Sequence, residues 1–209
     1  MSLKETKKQE GQDTEARILE AAKDVFLRKG KTDTNMQEIA DEAGINRTLL
    51  HYYFRSKDKL FEAVFRQTVG KFIPDVQEIF NSDISLFEKI EIFADRYIQA
   101  MIENPFLPLF VMTEINRNPE KVYVMIHETG VEPMKFAMQV TEEVQKGNIL
   151  PIDPRQLIVN MISMCIFPVA GRPIIKEIIF SGDDTAYDRF LQERRKEVAR
   201  FVINAIKAK

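Results

Sequence analysis

The chain has 209 residues, 44% of them hydrophobic and 30% charged, which is the make-up of a folded soluble protein and excludes both a disordered chain and a bundle of membrane spans. The net charge is −2, so overall charge does not point to nucleic acid, but its distribution is uneven. Residues 1–60 hold 12 Lys and Arg against 11 Asp and Glu, and Arg47, Arg55, Lys57 and Lys59 face only Asp58 within 44–59. One cysteine, Cys165, and two histidines are too few for a disulfide or a typical metal centre, so no cofactor or metal is expected and a reducing, cytoplasmic setting is. The opening MSLKETKKQEGQD lacks the apolar core of a secretory signal, and the longest apolar stretch, Leu157 to Val169, is well short of the roughly 20 residues a membrane span needs.

In chain order, residues 1–13 are polar and without periodicity, and are expected to form a flexible arm. Thr14 is expected to cap a first helix whose apolar face is Ile18, Leu19, Ala22, Val25 and Phe26, ended by Gly30. Thr34 is the expected cap of a short second helix carrying Met36, Ile39, Ala40 and Ala43 inward and stopped at Gly44. Asn46 caps a third, running to about Phe54, and Ser56 a fourth, which Pro74 should end or kink. Further helices are expected over about 84–103, 106–117, 119–147 with an irregularity at Gly130 and Pro133, 153–167 and 184–207. Residues 171–180 give no clear reading, and no segment alternates like a strand.

The second and third helices, joined through Gly44, have the helix-turn-helix plan, in which the second helix of the pair enters a major groove. From shape alone, a helix hairpin that merely packs is an equal alternative. The exposed chemistry of the third helix favours DNA. Arg47, Thr48, His51 and Tyr52 would point outward and offer donors and flat rings to base edges and phosphates. Lys57, at the start of the fourth helix, is placed for a phosphate.

Val25-Phe26…Lys29-Gly30, Thr34…Ile39-Ala40…Ala43-Gly44-Ile45 and Leu50-His51-Tyr52-Tyr53-Phe54-Arg55-Ser56-Lys57 together resemble the TetR family of bacterial regulators, over roughly residues 14–65. The resemblance implies an all-α protein with an N-terminal three-helix helix-turn-helix DNA-binding domain (14–58) and a C-terminal helical ligand-binding and dimerisation domain (59–209). It also implies phosphate contacts at Thr34 and Asn35, a helix cap at Asn46 that touches phosphate, and base reading by Arg47, Thr48 and Tyr52. Leu49 would meet thymine methyls or pack, His51 stands where the family has a phosphate-binding Tyr, and Tyr53 is either a DNA contact or part of the core.

One short helix reads only a few base pairs, so two half-sites, a homodimer and a near-palindromic double-stranded operator are expected. Helix 153–167 is apolar nearly all round, and it and the last helix are covered either by a partner subunit in a four-helix bundle, as the resemblance implies, or within the monomer. The intervening chain is rich in Phe and Met. It is either ordinary core or a malleable cavity for a small apolar effector, with Tyr97, Met101, Phe110, Glu114, Tyr123 and His127 as candidate lining. A ligand-responsive regulator follows, with repression the family's usual mode and the fourth helix as lever. No nucleophile or phosphate-loop signature supports an enzyme, so no catalytic residue is assigned. The rival reading is a helical protein-interaction adaptor without DNA binding.

Overall fold

The computed structural model describes residues 3–208, with no strand among them. Eleven helices follow in order among the described residues: α1 (Leu3–Asp33), α2 (Met36–Glu42), α3 (Arg47–Tyr53), α4 (Lys57–Asn81), α5 (Leu86–Glu103), α6 (Leu107–Arg117), α7 (Pro119–Glu128), α8 (Pro133–Gln145), α9 (Pro154–Ala170), α10 (Arg172–Phe180) and α11 (Asp184–Ile206). They form two compact units, Met1–Lys71 and Phe72–Lys209, so the division falls inside α4 and not at residue 58.

The first unit has a core of Ile18, Ala22, Val25 and Phe26 from α1, Ile39 and Ala40 from α2, Leu50 from α3, and Leu60, Phe61, Val64 and Phe65 from α4. Phe26 and Phe61 meet edge to face at 5.1 Å. The segment expected to be an arm is helical from Leu3 onward, with Thr14 inside the helix and not at its cap. Its sequence is rich in Lys, Glu and Gln, residue types that lose little rotamer freedom in a helix, so no apolar stripe is needed for it to form. Gly30 does break the helix: its φ of 75° is left-handed, and helical hydrogen bonding resumes only beyond it.

In the second unit α5 is central and packs against α11, α9 and α8. Ile90, Phe93, Ala94 and Ile98 of α5 share a buried cluster with Phe80, Phe136, Val140, Leu157, Met161, Cys165, Val198 and Val202. The segment 119–147 is two helices: Gly130 takes a φ of 73°, and Pro133 opens α8 at a position where its missing N–H costs nothing. The segment 171–180, left open by the sequence, is α10. The end of α11 returns beside the connection between α8 and α9, with Leu150 N donating to the Ile206 carbonyl.

Two prolines lie inside helices. Pro74 does not end α4; the acceptor it leaves, the carbonyl of Gly70, is on an exposed residue where water can serve it. Pro168 in α9 cannot donate to the carbonyl of Met164, and the chain supplies a substitute. Arg194 Nε and Nη2 both donate to that carbonyl, at 3.2 and 3.0 Å, while Tyr187 Oη donates to the Pro168 carbonyl at 2.7 Å. Burial holds the Arg194 guanidinium below its ordinary pKa, the cost of placing it there. Arg194→Met should therefore destabilise by about 1–3 kcal/mol, since a half-buried carbonyl loses its donors. In a Pro168→Ala background, where residue 168 regains its N–H, the same substitution should cost less. A denaturant double-mutant cycle measures the difference, and equal costs in both backgrounds would refute the pairing.

Among the described residues no single helix is long and apolar enough to cross a membrane.

Candidate nucleic-acid interface

Helices α2 and α3 are held at a tight turn by interactions inside the first unit. Asn35, and not Thr34, caps α2: its Oδ1 accepts from Glu38 N at 3.0 Å, and the Glu38 carboxylate reaches back to Asn35 N. The hydrogen bond from Lys29, followed by that from the Asn35 backbone, holds the Glu38 carboxyl below its usual range. Gly44 takes a φ of 65°, the left-handed conformation that turns the chain, and Ile45 N returns to the Ala40 carbonyl. Arg17 of α1 donates to the carbonyl of Ala43, the C-cap of α2, at 2.7 Å, so α1 braces the turn directly. Asn46 caps α3 by accepting from Leu49 N at 2.8 Å. Ser56 accepts from Lys59 N at the start of α4.

On this frame α3 turns one side inward and the other to solvent. Leu50 is fully buried, and Phe54 just beyond the helix is buried beside it. Arg47, Thr48, His51 and Tyr52 are exposed, Tyr52 at 78%. Leu49 is at the margin of exposure, 36%, with room to meet an apolar group. Tyr53 is half-buried. Its ring meets that of Tyr52 edge to face at 5.4 Å, and its hydroxyl lies against α1, 3.7 Å from where a β-carbon on Gly11 would sit.

The charges divide in a way that the sequence does not display. Arg28, Lys29 and Lys31 pair with Glu42, Glu38 and Asp58 at 2.9–3.0 Å. Arg47, Arg55 and Lys59 are exposed and make no ion pair among the described residues. Among the described side chains of the first unit, the positive charge left for an external anion is therefore concentrated on α3 and the start of α4.

Two expected phosphate contacts have other work. Thr34 is buried, and its hydroxyl donates to the Gly30 carbonyl at 2.8 Å, closing the α1–α2 turn. Its side chain is thus unavailable to phosphate. The Lys57 ammonium donates to the carbonyls of Thr34 and Thr32, at 2.8 and 3.3 Å, and ties the same turn to α4. Asn35 is exposed, with its Oδ1 engaged in the cap.

Residues 18–64 match the family model described as bacterial regulatory proteins, tetR family. This segment is a TetR-family regulatory domain. Relatives of the chain are regulators of transcription. The HTH-type transcriptional regulator RutR of Escherichia coli (strain K12) is 25% identical over 191 residues, covering 91% of this chain and 89% of RutR. The HTH-type transcriptional repressor KstR2 of Mycolicibacterium smegmatis is 28% identical over 134 residues, covering 57% of this chain and 65% of KstR2. Among solved structures, the transcriptional regulator SCO4942 from Streptomyces coelicolor superposes with a TM-score of 0.68 at 19% identity, over 92% of this chain and 98% of that one. FadR from Bacillus subtilis, in complex with stearoyl-CoA, superposes at 0.65 and 18% identity, over 91% and 98%. These likenesses establish the fold of the chain, the second unit included.

Of the candidate effector residues in the second unit, Met101, Phe110 and Glu114 are buried, and Tyr97 is half-buried between the rings of Phe72 (4.6 Å) and Phe93 (5.0 Å). Tyr123 and His127 are not with them. Val122 and Met125 are the buried residues of α7, which leaves Tyr123 and His127, one turn apart, in a tilted ring contact at 5.9 Å on the solvent side. Burial pushes the Cys165 thiol up to about 12, which keeps it protonated and unreactive.

Proposed function

We propose that this TetR-family chain is a ligand-responsive repressor that binds a near-palindromic operator as a homodimer in the cytoplasm, and leaves it when a small, largely apolar effector binds the second unit. The outward face of α3 carries the reading. Arg47, Thr48, His51 and Tyr52 are displayed together on a helix whose own caps and core contacts are satisfied, beside Arg55 and Lys59. Arg47 is the natural bidentate partner for a guanine edge, Tyr52 and Thr48 flank it, and Arg55 and Lys59 suit phosphates.

The dimer reading is supported by what one chain leaves uncovered. Val159 and Phe167 on α9 are 58% and 64% exposed, and Phe201 on α11 is 64% exposed. Covering those side chains with a second copy removes large apolar groups from water, and two-fold symmetry would set two α3 helices about 34–36 Å apart or a multiple of that. The effector reading is supported by Tyr97, Met101 and Phe110, adaptable apolar groups that point inward in the second unit.

The test is to select bound duplexes from a random pool and titrate the winner with salt. Neutralising six to ten phosphates should weaken binding by about 10³–10⁵ between 50 and 200 mM salt. A selected sequence with no dyad would remove the palindrome. An affinity that ignores salt would favour the protein-interaction adaptor.

A further inference from the structure

We propose that Glu114 is the recognition group for a protonated amine, so that the effector is an apolar molecule ending in an N–H cation. The inference rests on the effector-binding reading above and narrows it to a ligand class.

Glu114 lies in the last turn of α6, on the same face as the buried Leu107 and Phe110, and is itself only 7% exposed. Its Oε1 accepts from Asn118 Nδ2 at 2.7 Å. Its Oε2 is buried and has no hydrogen-bond partner among the described residues. Helices α7 and α9 pack most extensively against α6 among the described residues. The buried residues these two present are Val122 and Met125, then Leu157, Met161, Cys165, Pro168 and Val169, none of them cationic. The position is adverse to a carboxyl group in three ways. It is buried, one oxygen is unserved, and it sits at the C-terminal end of a helix, where the backbone carbonyls already present negative ends. A leucine would fill that face without these costs.

Asn118 holds the carboxyl in place from the side. It is the C-cap of α6, with its backbone N–H on the Glu114 carbonyl at 2.8 Å and its amide on Oε1, so the carboxyl orientation is fixed before any ligand arrives. The unserved Oε2 then offers an acceptor in apolar surroundings. A charge-assisted N–H donor satisfies it better than a hydroxyl, and a second carboxylate is repelled. The apolar neighbours fix the rest of the ligand as hydrocarbon.

The test uses the full-length dimer with three probes of equal chain length, decylammonium, decanol and decanoate, by isothermal titration at neutral pH. The native protein should bind decylammonium at least roughly tenfold more tightly than decanol, with decanoate weakest. Glu114→Gln, which keeps the hydrogen bond to Asn118, should erase that preference and leave decanol affinity unchanged, with a melting temperature at or above the native one. Glu114→Leu provides a second variant with the same expected loss of preference. Equal affinity for decylammonium and decanol in the native protein overturns the proposal and leaves an apolar effector standing. So does a preference that survives in both variants. A lower melting temperature in Glu114→Gln with ligand preference unchanged assigns the carboxyl to the fold alone and overturns it. Failure of all three probes to bind a native dimer that still binds operator removes the small apolar effector itself, and this proposal with it.

Discussion

Arg47→Ala should cost the dimer about 2–6 kcal/mol of operator affinity, because each good bidentate base contact contributes about 1–3 kcal/mol and the two half-sites are far enough apart to add. That is a fall from about thirtyfold to above ten-thousandfold in anisotropy titrations against the selected operator. The loss should be confined to specific DNA: affinity for random duplex should fall much less. Stability should stay within about 0.5 kcal/mol of native, since Arg47 is exposed and pairs with nothing among the described residues. Lys59→Ala is the contrasting case. Taking one phosphate-binding ammonium from each subunit lowers affinity for all duplexes alike and makes the salt slope shallower by about two. If Arg47→Ala left operator and random duplex in their native ratio, Arg47 would not be a base-reading residue, and the base-reading assignment of the α3 face would lose its principal member.

The parts of the first unit that the sequence made legible are those where a local rule has one outcome. Gly30 and Gly44 sit where the chain needs a left-handed residue, Asn46 and Ser56 where a helix needs an acceptor, and Leu50 on the one side of α3 that can be buried. The misreadings occur where two local rules compete. Thr34 and Asn35 are both good caps, and the choice is settled by Glu38, three residues after Asn35, which completes a capping box only from there. That signal was present in the sequence. Arg17 and Lys57 gave no such signal. Their partners are backbone carbonyls 26 and 23–25 residues away, and backbone acceptors leave no trace in residue identity.

The second unit was legible in its helices and less so in their faces. Hydropathy spacing located α5 and α11 because each has one apolar stripe set against charge. On α7 the apolar residues Val122, Tyr123, Val124, Met125 and Ile126 run consecutively, so periodicity could not say which would be buried. Neighbouring helices made that choice, with Val122 and Met125 inward and Tyr123 outward. The same ambiguity hid α10, whose Ile174, Ile178 and Ile179 remain largely exposed while Ile175 is buried. Exposed isoleucine on a short helix is not a pattern that amphipathicity anticipates.

Phe136→Ala should cost about 3–5 kcal/mol of unfolding free energy, the range for emptying an aromatic site that cannot collapse. Phe136 is fully buried on α8, with its ring 5.0 Å from that of Phe80, which in turn stacks on Phe93 at 5.6 Å. The cavity would thus open where α4, α5 and α8 meet, and each ring left behind loses a neighbour as well as the burial. Against a typical stability of about 5–15 kcal/mol, such a loss should lower the melting temperature by roughly 6–20 °C for a chain of this size. Met138→Ala, on the exposed side of the same helix, should change stability by no more than about 0.5 kcal/mol. The larger consequence is for DNA. Phe136 belongs to the second unit and Arg47 to the first, so a monomer with a damaged second unit would keep an intact α3. If α9 and α11 make the dimer, the Phe136→Ala chain should dissociate at concentrations where the native chain is dimeric in sedimentation, and its operator affinity should fall in step with its dimer fraction. Native operator affinity in a demonstrably monomeric Phe136→Ala chain would mean that the two half-sites are not read through the second unit.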